Sequence, residues 1–145
     1  MVVHPSGAYV YVANRDDNTI SQFTWLLEPL APATVVNGTT AAALTTDPDG
    51  KFLYGTNWQY GTVTMFSIKG SGALNPLTSS SVPAGGFPYG FGSVTVDATG
   101  QFVYVANLFN ITSYQSGEVA LFRIALTGLL QPLGTFRAVN RPTSV

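Results

Sequence analysis

The sequence predicts an all-β fold of about three four-stranded antiparallel sheets, arranged as blades around an axis. Three observations carry that prediction. First, one phrase occurs three times: a polar turn ending in Gly, an alternating strand, then Asn. Its copies run His4-Pro5-Ser6-Gly7-Ala8-Tyr9-Val10-Tyr11-Val12-Ala13-Asn14, Asp47 through Gly50 to Asn57, and Asp97 through Gly100 to Asn107. Second, the spacing is that of a repeat architecture: Gly7 to Gly50 is 43 positions and Gly50 to Gly100 is 50. Third, no segment sustains a helical period, and four short strands fit into each repeat.

The elements follow in order. Ala8 to Ala13 is aromatic and β-branched and reads as a strand. Asn14-Arg15-Asp16-Asp17-Asn18 is a turn-rich loop. Thr19 to Thr24 alternates as the next strand. Pro29, Leu30 and Pro32 allow only a ragged edge strand, ending near Val35-Val36. Asn37-Gly38 is a turn. In the second unit, Ala41 to Thr46 is a strand of small residues, suited to the crowded centre of a radial assembly. Phe52 to Asn57 and Thr62 to Ile68 follow, then an outer strand around Ser80-Ser81-Val82. The third unit repeats the order with Phe91 to Val96, Gln101 to Ala106, Glu118 to Ile124 and Leu130 to Phe136. Residues 120–130 could pass for helix, but they align with Thr62–Ile68, and Gly128 interrupts them.

The units are expected at about 1–38, 39–86 and 87–140 of a single propeller segment, with 141–145 starting a further innermost strand. Pro142 to Val145 followed by Val2-Val3-His4-Pro5 would make one complete innermost strand and turn. Three blades do not close a ring, which typically takes 4–8. The expectation is therefore a homodimer. Two copies would close a six-bladed ring, with the C-terminal strand of one completing the first blade of the other. The alternative is a piece of a larger ring.

Composition narrows the partners. The 145 residues are 46 % hydrophobic and only 9 % charged, with net charge −1 and six scattered basic residues. That is globular and offers no basic stripe for nucleic acid. There is no cysteine, and one His plus carboxylates is poor zinc ligation, so no metal or other cofactor is expected. No apolar run approaches the roughly 20 residues of a membrane helix. Met1 to Pro5 lacks the charged and apolar regions of an export signal, so a cytoplasmic location is the default expectation.

Tyr11-Val12-Ala13-Asn14 and Tyr104-Val105-Ala106-Asn107, with Tyr54-Gly55-Thr56-Asn57 between them, resemble the YVTN-type β-propeller repeat. Asp47 to Tyr54 and Gly72-Ala73-Leu74-Asn75-Pro76-Leu77 are similar to the lactonase-type seven-bladed propellers, which include 6-phosphogluconolactonase. The resemblance implies a propeller fold over almost the whole chain, and lactone hydrolysis as an activity. It departs in length, with three repeats where the family has seven.

Several motifs have a structural explanation. Asp47-Pro48-Asp49-Gly50 lacks the roughly six to eight oxygens of a calcium site and reads as a tight turn. His4 stands where the other units place a turn Asp. There is no Gly-x-Ser-x-Gly elbow to support a triad. Gly85-Gly86 and Gly90-x-Gly92 have no Lys-Ser/Thr after them, so they are no phosphate loop. Asn14, Asn57 and Asn107 recur in every unit, which suggests strand-end capping by side-chain to backbone bonds.

Chemistry is expected on the face that carries the loops between second and third strands and the blade connections. Candidate ligand contacts are Arg15, Trp58, Tyr60, Tyr89, Phe109, Tyr114 and Arg141: aromatics and a few cations, as a sugar or sugar-acid pocket needs. If the chain hydrolyses lactones, Asp16, Asp17 or His4 would have to activate water. Three functions remain open from the sequence: a structural or binding module that holds a small molecule, peptide or glycan on its loop face, a lactone hydrolase acting as an assembled oligomer, and a partial propeller without evolved activity.

Overall fold

The computed structural model describes residues 1–38, 40–84, 91–107 and 117–138, the first two residues of the third stretch by backbone alone. Among them are twelve strands and no helix. They form three sheets of four antiparallel strands, each in plain sequence order. The first comprises β1 (Val2–Val3), β2 (Tyr9–Asn14), β3 (Thr19–Thr24) and β4 (Pro29–Val36). The second comprises β5 (Ala41–Thr46), β6 (Phe52–Asn57), β7 (Thr62–Ile68) and β8 (Leu74–Pro83). The third comprises β9 (Phe91–Val96), β10 (Phe102–Asn107), β11 (Glu118–Ile124) and β12 (Leu130–Arg137).

These are the expected strands in the expected order. β5 lies against β1 and β9, so the small residues of the second unit do stand at the crowded inner edge. The ragged strand of the first unit is β4, whose ladder with β3 shifts register between Ser21 and Phe23. The last residues, 141–145, lie outside the described residues.

Alternation along each strand sends side chains to both faces of its sheet, so each boundary between sheets is a core. Tyr11 and Ile20 of the first sheet pack with Leu44, Leu53, Phe66 and Leu74 of the second. Tyr54, Val63 and Met65 of the second pack with Val103, Val105 and Phe122 of the third. Fully burying one such side chain stabilises the fold by about 1.5–3 kcal/mol.

The turns between first and second strands line up on one face. Gly7, Gly50 and Gly100 take positive φ of 74°, 68° and 69°. Each amide returns to the carbonyl three positions before it: His4, Asp47 and Asp97. Asp47 Oδ1 accepts from the Phe52 amide at 2.7 Å, and Asp97 Oδ1 accepts from the Gln101 and Phe102 amides at 2.9 Å. These carboxylates hold their own turns.

Candidate functional site

The opposite face is built from the β2–β3 and β6–β7 loops and the connection between the first two sheets. The Asn37 amide donates to the Asn18 carbonyl at 3.0 Å, and the Trp58 amide to the Thr40 carbonyl at 3.0 Å. The Thr40 amide donates to the Asn18 side chain. Asn18 itself sits at positive φ, 58°, a conformation that Asn tolerates better than most residues. This knot presents the two loops side by side.

Across them, the Arg15 guanidinium lies 4.6 Å from the centre of the Trp58 ring. The two residues come from different blades, and the structure brings them together. A cation over an indole face is worth about 0.5–1 kcal/mol at an exposed site. No carboxylate among the described residues forms an ion pair with Arg15. Asp16 and Asp17 follow it on the same loop and are exposed.

Beside Trp58 on its loop, Tyr60 is 63 % exposed and borders a cleft of about 500 Å³ between the first two sheets. Asn57, Thr62, Thr64, Ser80 and Ser81 also line it. The same cleft recurs between the second and third sheets at about 330 Å³, lined there by Val82, Pro83, Ala84, Ala120, Phe122 and Pro132 among others. Thr64 and Ala120 hold equivalent places, each two residues into its strand from the Asn pair. Hydroxyls and an amide line the first cleft at several places, where the second has one hydroxyl, that of Thr135. Sequence reasoning passed over Thr64, Ser80 and Ser81. The hydroxyl alternation Thr62-x-Thr64 was the available signal.

His4 is elsewhere. It sits at the far end of β2, roughly 20 Å from the Arg15 loop at about 3.3 Å per residue. Its Nδ1 accepts from the Ser6 amide at 3.1 Å and meets the Ser6 hydroxyl at 2.7 Å. The Nε2–H donates to the Gly50 carbonyl at 2.9 Å. His4 thus ties the first turn to the second. Tyr89, Phe109, Tyr114 and Arg141 lie outside the described residues.

The recurring Asn residues need a correction. Asn14 Nδ2 donates to the hydroxyls of Thr19 and Ser21, and Asn57 Nδ2 to those of Thr62 and Thr64. Among the described residues only the Asn107 side chain reaches backbone, the Ala84 carbonyl at 2.8 Å. The amide spans the hairpin to hydroxyls on the facing strand because residues two apart share one face. Among the described residues no three His, Cys, Asp or Glu cluster to hold a metal.

Residues 27–145 match the family described as "Lactonase, 7-bladed beta-propeller". The chain belongs to that family. It is 29 % identical over 154 residues to a 6-phosphogluconolactonase of Formosa agariphila, and 26 % identical over 155 residues to one of Enterobacter sp.. These alignments take in 99 % and 98 % of this chain, but only 41 % and 43 % of the relatives. The chain thus spans about two fifths of their length. A crystal structure of a candidate 6-phosphogluconolactonase from Bacteroides fragilis superposes with a TM-score of 0.83 at 22 % identity, over 98 % of this chain and 42 % of that one. The periplasmic gluconolactonase of Pseudomonas aeruginosa superposes with a TM-score of 0.76 at 23 % identity, over 93 % and 39 %. At that identity the superpositions speak for the propeller fold alone.

Proposed function

We propose that this lactonase-type propeller segment binds a small anionic sugar-acid ligand on its loop face, at the boundary of the first two blades. The Arg15–Trp58 stack carries the proposal. It holds a cation without a carboxylate partner, among the described residues, over an aromatic surface at the mouth of two loops. Arg15 would meet the anionic group, since a guanidinium recognises carboxylate and phosphate in two-pronged fashion. Tyr60, exposed beside them, would offer flat apolar surface to a sugar-sized carbon frame, and Trp58, packed against the core, would hold the guanidinium in place. The hydroxyls and the amide along the adjoining cleft, against a single threonine at the next boundary, favour a ligand at this boundary.

The test is titration with 6-phosphogluconate, followed by calorimetry and by Trp fluorescence. Binding should weaken about tenfold or more in Arg15→Ala, in keeping with a charge-assisted hydrogen bond. Binding that is absent, or indifferent to Arg15→Ala, would remove the reading.

A second reading, lactone hydrolysis, is favoured by the names of the two curated relatives. Water activation would fall to Asp16 or Asp17, the carboxylates on the Arg15 loop, because His4 is engaged at the far end of the blade. A lactone hydrolysis assay with Asp16→Ala and Asp17→Ala, on protein of known oligomeric mass, separates the readings. Activity unaffected by both changes takes those roles away. Neither binding nor hydrolysis would leave a partial propeller without evolved activity.

A further inference from the structure

The three sheets meet through one repeated contact. The second strand of a sheet turns two aromatics toward the outer hairpin of the next. Tyr9 and Tyr11 donate their hydroxyls to the carbonyls of Gly70 and Gly72 at 2.9 and 2.7 Å. One boundary later, Tyr54 donates to the Gly128 carbonyl at 3.0 Å. The receiving hairpin needs glycine. A Cβ on Gly72 would lie 2.3 Å from the Tyr9 ring, and one on Gly128 would lie 2.2 Å from the Phe52 ring. Both glycines also take positive φ, 81° and 82°.

The third sheet reproduces the donating side. Tyr104 faces Leu121 across its ladder as Tyr54 faces Met65, and Phe102 precedes it as Phe52 precedes Tyr54. The Tyr104 hydroxyl has no hydrogen-bond partner among the described residues.

The first sheet does not reproduce the receiving side. Phe66 faces Pro76 and Phe122 faces Pro132, ten positions apart in each case, but Phe23 faces Pro29, only six apart. The first hairpin therefore turns two residue pairs early and ends roughly 7 Å short. Its turn has the same bonds: Leu27 donates to Thr24 as Gly72 donates to Lys69 and Gly128 to Ala125. The left-handed position, however, holds Leu27 at φ 63°, and its side chain is exposed.

We infer that the first sheet of a second copy is not the blade that the third sheet's face, open among the described residues, is built to take, because that face calls for the long, glycine-tipped hairpin. A head-to-tail ring of two copies would bring each Tyr104 against the short hairpin. There it would face a gap where both existing boundaries supply a carbonyl. Continuity with those two boundaries identifies the occupant, since the donating residues are the same and only the acceptor is missing. The shortened first hairpin thus keeps the chain from propagating onto itself through its own repeat contact.

The test is sedimentation velocity over a range of concentrations with four versions of the chain. They are the wild type, Tyr104→Phe, a graft in which Trp25–Glu28 is replaced by the Ile68–Asn75 sequence, and the same graft carrying Tyr104→Phe. The graft should associate at least tenfold more tightly than the wild type. Adding Tyr104→Phe to the graft should loosen it about fivefold, the loss of one ordinary hydrogen bond. Tyr104→Phe in the wild type should leave the mass distribution unchanged. A wild-type dimer loosened several-fold by Tyr104→Phe overturns the inference, and so does a folded graft that associates no better than the wild type. If the graft does not fold, the wild-type comparison decides alone. None of these outcomes bears on the loop-face ligand.

Discussion

Gln22, fully buried between the first two sheets, accepts a hydrogen bond from the Leu74 amide at 2.6 Å and donates one to the Pro32 carbonyl at 2.8 Å. Its counterpart one blade on is Met65, whose sulfur meets the Leu130 amide at 3.2 Å. The amides that open β8 and β12 each point into the preceding sheet. A side chain there must receive it, because an unmet buried donor costs about 1–3 kcal/mol.

Replacing that residue tests the reading. Gln22→Ala should lower unfolding free energy by about 2–4 kcal/mol, through an unmet amide and a small cavity. Gln22→Met should cost about half as much or less, since it fills the space and restores the acceptor found at the next boundary. Urea denaturation of the two variants checks the order. Equal losses would show that the acceptor is immaterial.

Asn57 and Asn14 occupy the same place in successive repeats but not the same environment. Asn57 is buried, donates to Thr62 and Thr64, and accepts from Asn37 at 3.0 Å. Asn14 is half-buried and makes only the two hydroxyl contacts among the described residues. Asn57→Ala should therefore cost about 2–4 kcal/mol and Asn14→Ala about 1 kcal/mol, from the usual worth of such bonds. The difference should appear as separate thermal midpoints.

Two kinds of group set the pH limits. The Thr99 hydroxyl, helped by the Phe102, Gln101 and Thr99 amides, holds the Asp97 carboxyl below its ordinary value. A lowered folded pKa gives stability that is complete above the unfolded value, about 4, and lost as pH falls through the folded one. Asp97→Asn should thus differ from wild type at neutral pH and converge with it in acid. Burial pushes the Tyr11 and Tyr54 hydroxyls up, the first aided by Tyr9 and the second by Asp47. Their contribution is complete below about pH 10 and lost as pH rises beyond it. Tyr54→Phe should blunt the alkaline loss of stability, read by tyrosinate absorbance and circular dichroism together. Unchanged alkaline limbs would exclude that role.

The loop face was legible in part. Arg15 and Trp58 stood out as residue types on the expected loops, 43 positions apart, but nothing in the chain order says that they stack. The polar cleft was missed because its walls, Thr64 with Ser80 and Ser81, read singly as ordinary sheet residues. His4 was readable as a turn residue from its alignment with Asp47 and Asp97. Its bond to Gly50, 46 residues away, was not.

By itself the sequence determined the strands, their turns and their order. These follow from side-chain alternation and from Gly, Asn and Asp chemistry within a few residues of one another. The tertiary structure decided how blades recognise one another. That depends on Tyr11 meeting Gly72 across 61 residues and Tyr54 meeting Gly128 across 74. It also turned a four-residue difference in hairpin length, unremarkable along the chain, into a difference in reach between the first sheet and the other two. A hairpin shorter by four residues differs little in local sequence, but at about 3.3 Å per residue its tip falls short of the place where a neighbour's hydroxyl would bond.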